Sequence, residues 1–222
     1  MIDADLAKFI QEKLGHAPRD HSLFDQALTH ASADGASYER LEFLGDRVLG
    51  LVVASWLYER FPSEPEGKMS RRYNALVARE TCADVGRALE LPPFILLGKQ
   101  AREDNANLSD NVVGDVVEAI IGAIYLDGGL DRAEAFVRAN WAPFLDGQRK
   151  APEHPKSALQ ERAAERKLGV PVYELISRFG PHHAPRFRVK VSLGGRGEAE
   201  AEGDSKQEAE TAAAAALLEK LK

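Results

Sequence analysis

Apolar residues recur every three or four positions through the first two thirds of the chain, which is the spacing of a helix with one buried face. One stripe lies within residues 41–56, at Leu41, Leu44, Val48, Leu51 and Val52. A second is rich in β-branched residues, yet its length and spacing favour a helix: Val112, Val113, Val116, Val117, Ile120, Ile121 and Ile124. Residues 1–13 and 130–144 also have helical spacing, as do residues 69–89, read as one helix or two. The first domain is therefore predicted to be all-α.

The period changes to two after residue 167, which is typical of strands with one buried face. Residues 171–179, 186–193 and 197–203 alternate between apolar and polar positions, and helical segments at 157–167 and 205–222 flank them. The order α-β-β-β-α predicts a small α+β domain of about seventy residues. We expect Ser205 or Asp204 to cap the last helix. The glutamates of the third strand should face three cations of the second strand, namely Arg186, Arg188 and Lys190.

A composition break separates the two patterns. Between residues 145 and 155, proline, glycine and charged residues replace the hydrophobic period, as is usual in a linker. We predict a helical domain at residues 1–147, a linker at 148–155 and the α+β domain at 156–222.

Composition adds limits on function. Of the 222 residues, 44% are hydrophobic and 29% charged, which excludes a disordered or fibrous protein. The net charge of −6 argues against a nucleic-acid partner, although local charge matters more than the sum. The single cysteine, Cys82, excludes an internal disulfide framework. Because no signal peptide and no bilayer-spanning run are seen, we expect a cytoplasmic protein without a membrane partner.

Acidic residues interrupt both of the apolar helices. Glu39, Glu42 and Asp46 are three and four residues apart, so they share one face of the first helix, beside its apolar stripe. Asp115 and Glu118 stand at i and i+3 among the valines and isoleucines of the second helix. If the two helices pack together these carboxylates converge, and burying them is costly unless they are protonated or neutralised.

A hard divalent cation would neutralise such a group of carboxylates. Oxygen ligands without histidine or cysteine indicate magnesium, or manganese in its place, rather than zinc or copper. A di-iron bundle would need Glu-x-x-His on paired helices, and the chain has no such spacing. Glu66, before the next helix, is a further candidate. The alternative is that the acidic pairs form solvated helix faces, or structural ion pairs with Arg40 or Arg47.

Several blocks of the chain resemble a known family. In the helical domain, ALTHAS, ERLEFLGD and GDVVEA are similar to the signature of bacterial ribonuclease III, in the family's order: Ala27–Ser32, Glu39–Asp46 and Gly114–Ala119. The last part of the chain resembles a double-stranded RNA-binding domain at Pro155–Glu161, Gly180–His183 and Gly203–Lys206. The resemblance covers almost the whole chain.

The resemblance implies a homodimeric, magnesium-dependent endonuclease that cuts double-stranded RNA and needs no small-molecule cofactor. Its products would carry 5′-phosphates and short 3′ overhangs, and its substrates would be ribosomal-RNA precursors and some messenger RNAs. By motif, the metal ligands would be Glu42, Asp46, Asp115 and Glu118. Asp46 and Glu118 would be catalytic, with Glu39 and Glu66 in supporting catalytic roles, and the loss of Glu118 should harm cleavage most. Phe43 matches an aromatic residue of the dimer interface; a core position is the alternative.

The same resemblance assigns RNA contacts. In the small domain, Gln160, Glu161 and His183 would touch sugars and base edges, and Lys206 would meet phosphate at a helix N-terminus. Residues 152–222 carry twelve Lys and Arg against eleven Asp and Glu, which leaves −7 on residues 1–151. In the first domain, phosphate contacts or a solvated helix face are the two interpretations of the basic residues Lys68, Arg71, Arg72 and Arg79.

Two residues depart from the family pattern. Arg47 follows Asp46 where a small residue is common, so it could pair with a carboxylate or point outward. Gln207 follows Lys206 where a second lysine is common. We therefore keep two rival hypotheses: a duplex-RNA-binding regulator that has lost cleavage, and a helical scaffold with an unrelated small domain. Thr29 and His30 are expected to make structural hydrogen bonds rather than part of a catalytic triad.

Overall fold

The computed structural model describes residues 4–148, 151, 155–181 and 184–221. The chain divides into two compact units, Met1–Pro152 and Glu153–Lys222, and most of the predicted linker at 148–155 lies outside the described residues. Within the described part of the chain, no helix combines the length and the apolar character that crossing a membrane requires.

The first unit is helical, as predicted. Its elements are α1 (Ala4–Lys13), α2 (His21–Ala27), α3 (Glu39–Arg60), α4 (Glu66–Leu76), α5 (Arg79–Ala88), α6 (Lys99–Glu103), α7 (Asp110–Gly128) and α8 (Leu130–Gly147), with short 3-10 turns at Pro92–Phe94 and Ala106–Leu108. Helix α7 packs against α3, α5, α8 and α2. Most of its residues are buried, which explains why it is apolar on nearly every side. Ser109 caps it by accepting from the backbone N–H of Val112.

The helical pattern of residues 69–89 is divided between two helices. Helix α4 ends at Leu76 and α5 begins at Arg79, with Ala78 in an extended conformation. Two side chains satisfy carbonyl groups at the end of α4. Thr81 Oγ1 donates to the carbonyl of Ala75, and Trp141 Nε1, from α8, donates to that of Leu76. These bonds replace the partners that a continuous helix would have supplied.

Arg72 of α4 is buried, at 2% exposure, so the interpretation of this residue as a phosphate contact is wrong. Its Nε and Nη2 donate to the two carboxylate oxygens of Glu64 at 2.9 and 2.8 Å, and Nη1 donates to the carbonyl of Gln148 at 2.6 Å. The guanidinium also lies over the ring of Phe61. Arg72, within α4, thus joins the segment before this helix to the residue that follows α8.

Asp127, near the end of α7, is a second buried charged residue, and it accepts hydrogen bonds from the segment between α1 and α2. Its carboxylate accepts from His16 Nε2 at 2.7 Å and from the backbone N–H groups of Arg19 and Asp20. Only 1% of the Asp127 side chain is exposed. The segment between α1 and α2 is therefore fastened to α7 by a charged, fully satisfied acceptor.

The second unit has the predicted α-β-β-β-α order. Its elements are α9 (Pro155–Glu165), β1 (Val172–Phe179), β2 (Arg186–Ser192), β3 (Glu198–Gly203) and α10 (Lys206–Lys220). The strands form an antiparallel sheet in the order β1-β2-β3. Its core contains Leu159, Val191, Leu193, Ala213 and Leu217. Ser205 is the N-cap of α10, accepting from the N–H of Glu208, while the Glu208 carboxylate accepts from the N–H of Asp204.

The outer face of the sheet carries the expected charge match. Arg188 lies opposite Glu202 and forms a salt bridge with it, and Lys190 bridges to Glu198. Strand β1 departs from strict alternation, because the register shifts between Leu175 and Ser177. Such a bulge disrupts the ladder of an edge strand, which discourages pairing with another chain.

Candidate active site

Two glycines allow α3 and α7 to cross in backbone contact. A Cβ at Gly45 would overlap the carbonyl of Glu118, and a Cβ at Gly122 would overlap that of Leu41. Glycine is required at both positions because any side chain would push the helices apart. The close crossing places the acidic face of α3 directly beside Asp115 and Glu118 of α7.

Glu42, Asp115 and Glu118 form what we call the acidic cluster. Burial raises the pKa of Glu118 to about 7, and the negative charges of Glu42 and Asp115 add to this effect. Burial likewise raises the pKa of Glu42, with contributions from Asp115 and Glu39. Burial also raises the pKa of Asp115, against the lowering influence of its neighbours. The structure thus brings these three predicted residues together, in an environment that opposes their charge.

Asp115 and Glu118, the two members of the acidic cluster on α7, each accept a hydrogen bond from a neutral donor of another segment. Tyr38, just before α3, donates its hydroxyl to Asp115 Oδ2 at 3.3 Å. Cys82 of α5 donates its thiol to Glu118 Oε1 at 3.8 Å. Burial is the main cause that raises the pKa of both donors, so both stay protonated at neutral pH. Sequence reasoning assigned neither residue a role, since neither has a signal in local spacing.

Arg79 supplies a nearby positive charge. Its charge lowers the pKa of all three members of the acidic cluster, although burial outweighs it. Arg79 Nη1 donates to Asn111 Oδ1 at 3.0 Å, and its Cγ lies close to Gly114 of α7. Of the two interpretations of Arg79, a phosphate contact or a solvated helix face, its position beside the acidic cluster favours the phosphate contact.

Asp46 has a different environment from the acidic cluster. Its carboxylate forms an ion pair with Arg47, so of the two predicted orientations of Arg47 the structure has the paired one. The Arg47 guanidinium also lies 5.2 Å from the centre of the Phe43 ring. Phe43 is 67% exposed, so the alternative of a core position is wrong. Asp46 would have to exchange Arg47 for a metal ion to act as predicted.

Glu39 and Glu66 lie at the starts of two helices. Glu39 accepts from Ser37 Oγ at 2.8 Å and is close enough to Glu42 to raise the pKa of that residue. Glu66 is the first residue of α4, where its carboxylate accepts from Ser70 Oγ at 2.5 Å. Glu39 is thus adjacent to the acidic cluster, whereas the contact that the structure shows for Glu66 is within its own helix.

The residues present fit a hard cation in their chemistry. The acidic cluster offers carboxylate oxygens, the ligands that magnesium and manganese prefer. Burial raises the pKa values of all three residues, so a cation bound among them would stabilise their charged forms. In the described residues, no three His, Cys, Asp or Glu side chains are already placed to hold a metal ion. Side-chain rotation, including that of Asp46 away from Arg47, would therefore have to accompany binding.

Thr29 and His30 make local hydrogen bonds. Thr29 Oγ1 donates to the carbonyl of Asp25 at 2.6 Å, and His30 Nδ1 lies 2.7 Å from Ser32 Oγ. The His30 ring also packs edge-on against Tyr38. These contacts agree with the structural role predicted for the pair.

In the second unit, the predicted RNA-binding residues Gln160 and Glu161 are exposed on α9. Lys206, at the first position of α10, is 61% exposed and lies 3.9 Å from Glu210. Glu210 is also paired with Lys156 at 2.6 Å. Lys206 is therefore only weakly engaged within the protein. The fourth predicted contact, His183, lies outside the described residues.

Comparison with protein families gives a match for each unit. Residues 20–144 match the family described as Ribonuclease-III-like, and residues 155–221 match the Double-stranded RNA binding motif. The first match alone covers more than half of the chain, and the second covers most of the second unit.

Individual relatives agree with these matches. The chain is 57% identical over 187 residues to Ribonuclease 3 of Zymomonas mobilis, covering 84% of this chain and 76% of that protein. It is 48% identical over 194 residues to Ribonuclease 3 of Rhodopseudomonas palustris, covering 85% and 71%. The crystal structure of the nuclease domain of ribonuclease III from Campylobacter jejuni superposes with a TM-score of 0.59 at 34% identity, covering 62% of this chain and 95% of that one.

Proposed function

On the premise that this chain belongs to the ribonuclease III family, we propose that it hydrolyses double-stranded RNA as a magnesium-dependent homodimer. That it is an endoribonuclease with a double-stranded-RNA-binding domain follows from the matches of both units. The family is generally metal-dependent. Magnesium, with manganese as a substitute, is our proposal for the metal, because the donor set consists of carboxylates.

The observation that carries the proposal is the acidic cluster itself. Burial raises the pKa of Glu42 and of Glu118; the charge of Asp115 adds to this effect at Glu42, and the charges of Glu42 and Asp115 add to it at Glu118. Such repulsion between carboxylates is relieved when a cation binds among them. We propose Glu42, Asp46, Asp115 and Glu118 as the metal ligands. Asp46 and Glu118 are proposed to be catalytic, with Glu39 and Glu66 in supporting roles.

When bound, magnesium supplies Lewis-acid activation of a water molecule and neutralises charge at the scissile phosphate. The protein's own part is to hold and orient. Tyr38 fixes one oxygen of Asp115, and the close contacts at Gly45 and Gly122 fix the separation of the α3 and α7 backbones that carry the carboxylates. Arg79, held by Asn111, would meet a phosphate oxygen of the bound strand. No protein nucleophile is required for this hydrolysis.

The second unit is proposed to hold the duplex through the exposed Gln160 and Glu161 of α9, the N-terminus of α10 with Lys206, and His183. A-form RNA presents 2′-hydroxyls in its wide minor groove and phosphates across the major groove, at a spacing that two helices of one domain can meet. The cations of the sheet's outer face are paired with glutamates, which favours the helical side as the RNA-binding side.

The dimer is proposed from an exposed aromatic residue. Phe43 is 67% exposed on α3, between Glu42 and Asp46 in the sequence, and it is the aromatic residue that the family resemblance assigns to the dimer interface. A related Campylobacter structure is described as flexible in a region involved in dimer formation.

We also propose that the protein acts in the cytoplasm, where structured transcripts occur. Its substrates there are proposed to be ribosomal-RNA precursors and some messenger RNAs.

A cleavage assay tests this function. The full chain is incubated with a long RNA duplex of random sequence, with magnesium, with manganese and with a chelator present. We expect fragments that carry 5′-phosphates and short 3′ overhangs only when metal is present, and no cleavage of a DNA duplex of the same sequence. Binding without strand scission in magnesium would contradict the proposal.

One observation favours a second candidate function, duplex-RNA binding without cleavage. The ion pair between Asp46 and Arg47 occupies a carboxylate that the first candidate needs for metal. The same assay separates the two, because a binding protein would retain the duplex in a gel shift and leave it intact. A helical scaffold unrelated to RNA would show neither result.

A further inference from the structure

The thiol of Cys82 has no part in the function proposed above, yet it touches the side chain on which that function most depends. Its Sγ lies 3.8 Å from Oε1 of Glu118, and Cys82 is completely buried. We propose that Cys82 is a positioning residue for Glu118. Its thiol donates a hydrogen bond to Oε1 and orients the carboxylate toward Glu42 and Asp115 for metal binding. This inference rests on the proposed function.

The backbone that carries the thiol is firmly seated on α7. One turn after Cys82, Gly86 faces α7 so closely that a Cβ there would lie 2.5 Å from Val113 Cγ1 and 2.9 Å from Val117 Cγ2. A Cβ at Gly114 would likewise be 3.7 Å from the Cβ of Cys82. Helix α5 therefore has little freedom to slide along α7, and this fixes the position of Sγ of Cys82 along the α7 axis, beside Glu118.

The backbone of Glu118 is fixed from the opposite side. Its carbonyl is in contact with Gly45 of α3, so α3 and α5 hold α7 between them. What remains free is the side chain of Glu118, which has three rotatable bonds. A hydrogen bond at the carboxylate end acts on that remaining freedom, and the only such bond in the described structure comes from Cys82.

A thiol suits this task because of its chemistry. It packs like a small apolar side chain among the buried residues of α5 and α7, and it is still a weak donor. Being neutral, it leaves the negative charge of Glu118 available to a cation, whereas a lysine or arginine would compete with that cation. Tyr38 has the same relationship to Asp115, with a neutral hydroxyl donated from a separate segment.

A matched pair of substitutions isolates the hydrogen bond. Cys82→Ala and Cys82→Ser differ only by a hydroxyl donor, so both leave a similar small void. Val85→Ala is the control, because Val85 is buried on the same helix and has no part in the acidic cluster. Manganese binding to the full-length protein, free of RNA, is measured by the electron paramagnetic resonance of the unbound ion. Thermal unfolding monitors the fold of each variant.

We expect Cys82→Ala to weaken manganese binding roughly tenfold, as is usual when a residue that orients a metal ligand is removed. Because serine keeps a hydrogen-bond donor, the manganese affinity of Cys82→Ser should stay within about threefold of the parent. Val85→Ala should lower the melting temperature but bind manganese like the parent. If Cys82→Ala is too unstable, Cys82→Val fills the space without a donor and should show the same loss.

Three outcomes would overturn the inference. Unchanged manganese affinity in Cys82→Ala would remove Cys82 from the site and leave the proposed function intact. Equal losses in Cys82→Ala, Cys82→Ser and Val85→Ala would assign the effect to packing rather than to the hydrogen bond. A parent protein that neither binds manganese nor cleaves duplex RNA would overturn the proposed function itself, and the inference with it.

Discussion

The carbonyl group of Glu118 occupies the space in which a side chain at Gly45 would begin. This contact fixes the distance between the backbones of α3 and α7, from which the acidic side chains of the two helices extend. A glycine in the sequence block around Asp46 thus has a geometric role as definite as that of the acidic residues beside it.

Replacing Gly45 by alanine should separate the two helices. We expect the free energy of unfolding to fall by about 3 kcal/mol, because the added methyl group meets backbone rather than a flexible side chain. Urea unfolding followed by circular dichroism measures the change. The control is Gly67→Ala in α4, where a Cβ would meet only Nη1 of the Arg71 side chain, at 4.0 Å; this variant should be more stable than the parent by up to about 1 kcal/mol. Equal stabilities of the two variants would contradict the packing argument.

Glu118→Gln should remove cleavage while preserving the fold. The amide keeps the size of the side chain but loses the charge that holds a cation, and we expect the cleavage rate to fall at least about a thousandfold. Duplex-RNA binding in a chelator and the elution volume in size-exclusion chromatography should be those of the parent. A variant that cleaves as fast as the parent would exclude Glu118 from the metal site.

Arg47→Ala should make the enzyme easier to saturate with metal. Its ion pair with Asp46 must open before Asp46 can bind a cation, and removing the arginine removes that competition. We expect the magnesium concentration for half-maximal cleavage to fall about threefold, in keeping with the small free energy of an exposed ion pair. Arg60→Ala, at the far end of the same helix, is the control. An unchanged or higher magnesium requirement would show that the pair does not compete.

Lys206→Ala should weaken RNA binding through the loss of one phosphate contact. Fluorescence anisotropy with a short duplex, without divalent cations, is measured over a range of salt concentrations. We expect the slope of log affinity against log salt to decrease in magnitude by about one. Lys220→Ala is the matched control at the other end of α10, where the lysine donates to the carbonyl of Glu198. The same slope in both variants would argue against Lys206 as a contact.

Asp127 should make the nuclease unit sensitive to acid. Burial is the largest influence and raises the pKa of Asp127, but the hydrogen bonds from Arg19, His16 and Asp20 together outweigh it and hold the pKa below its usual value of 3.8. A lowered folded-state pKa gives stability that is complete above the unfolded-state pKa and is lost as pH falls through the folded value.

The measurement compares the parent with Asp127→Asn by urea unfolding at several pH values. At pH 7 the variant should be less stable by about 2 kcal/mol, the usual contribution of hydrogen bonds to a charged acceptor. The difference should shrink as pH is lowered below about 4, where Asp127 of the parent becomes protonated. Asp131→Asn, an exposed position in the first turn of α8, is the control. A difference that is independent of pH would contradict the linkage.

Much of the fold could be predicted because helices and strands each have a characteristic spacing of apolar residues, which is visible in the sequence. The helices of the first unit and the three strands of the second follow from the spacing of apolar residues, and Ser205 from the chemistry of helix caps. The break between α4 and α5 was less clear, since apolar spacing continues through Val77 and Ala78. The bulge in β1 has no signal in composition at all.

The candidate site was predictable only to the extent that it lies on helices. Spacing placed Glu42 on the face that borders the core and Asp115 beside Glu118, and a close helix crossing brought them together. The contributions of Tyr38 and Cys82 come from separate segments, so their partners depend on tertiary packing. Arg72 looked like a surface cation for the same reason, because the carbonyl it binds belongs to Gln148, seventy-six positions away.

The donors to Asp127 also bear on where the nuclease unit begins. The ribonuclease-III-like match starts at residue 20, whereas two of the three donors, His16 and the N–H of Arg19, precede it. A fragment excised at the family boundary would keep every proposed metal ligand and leave a buried carboxylate largely unsatisfied. The segment that matches the family is therefore smaller than the segment that this unit needs in order to fold, because the latter also includes the residues that bind Asp127.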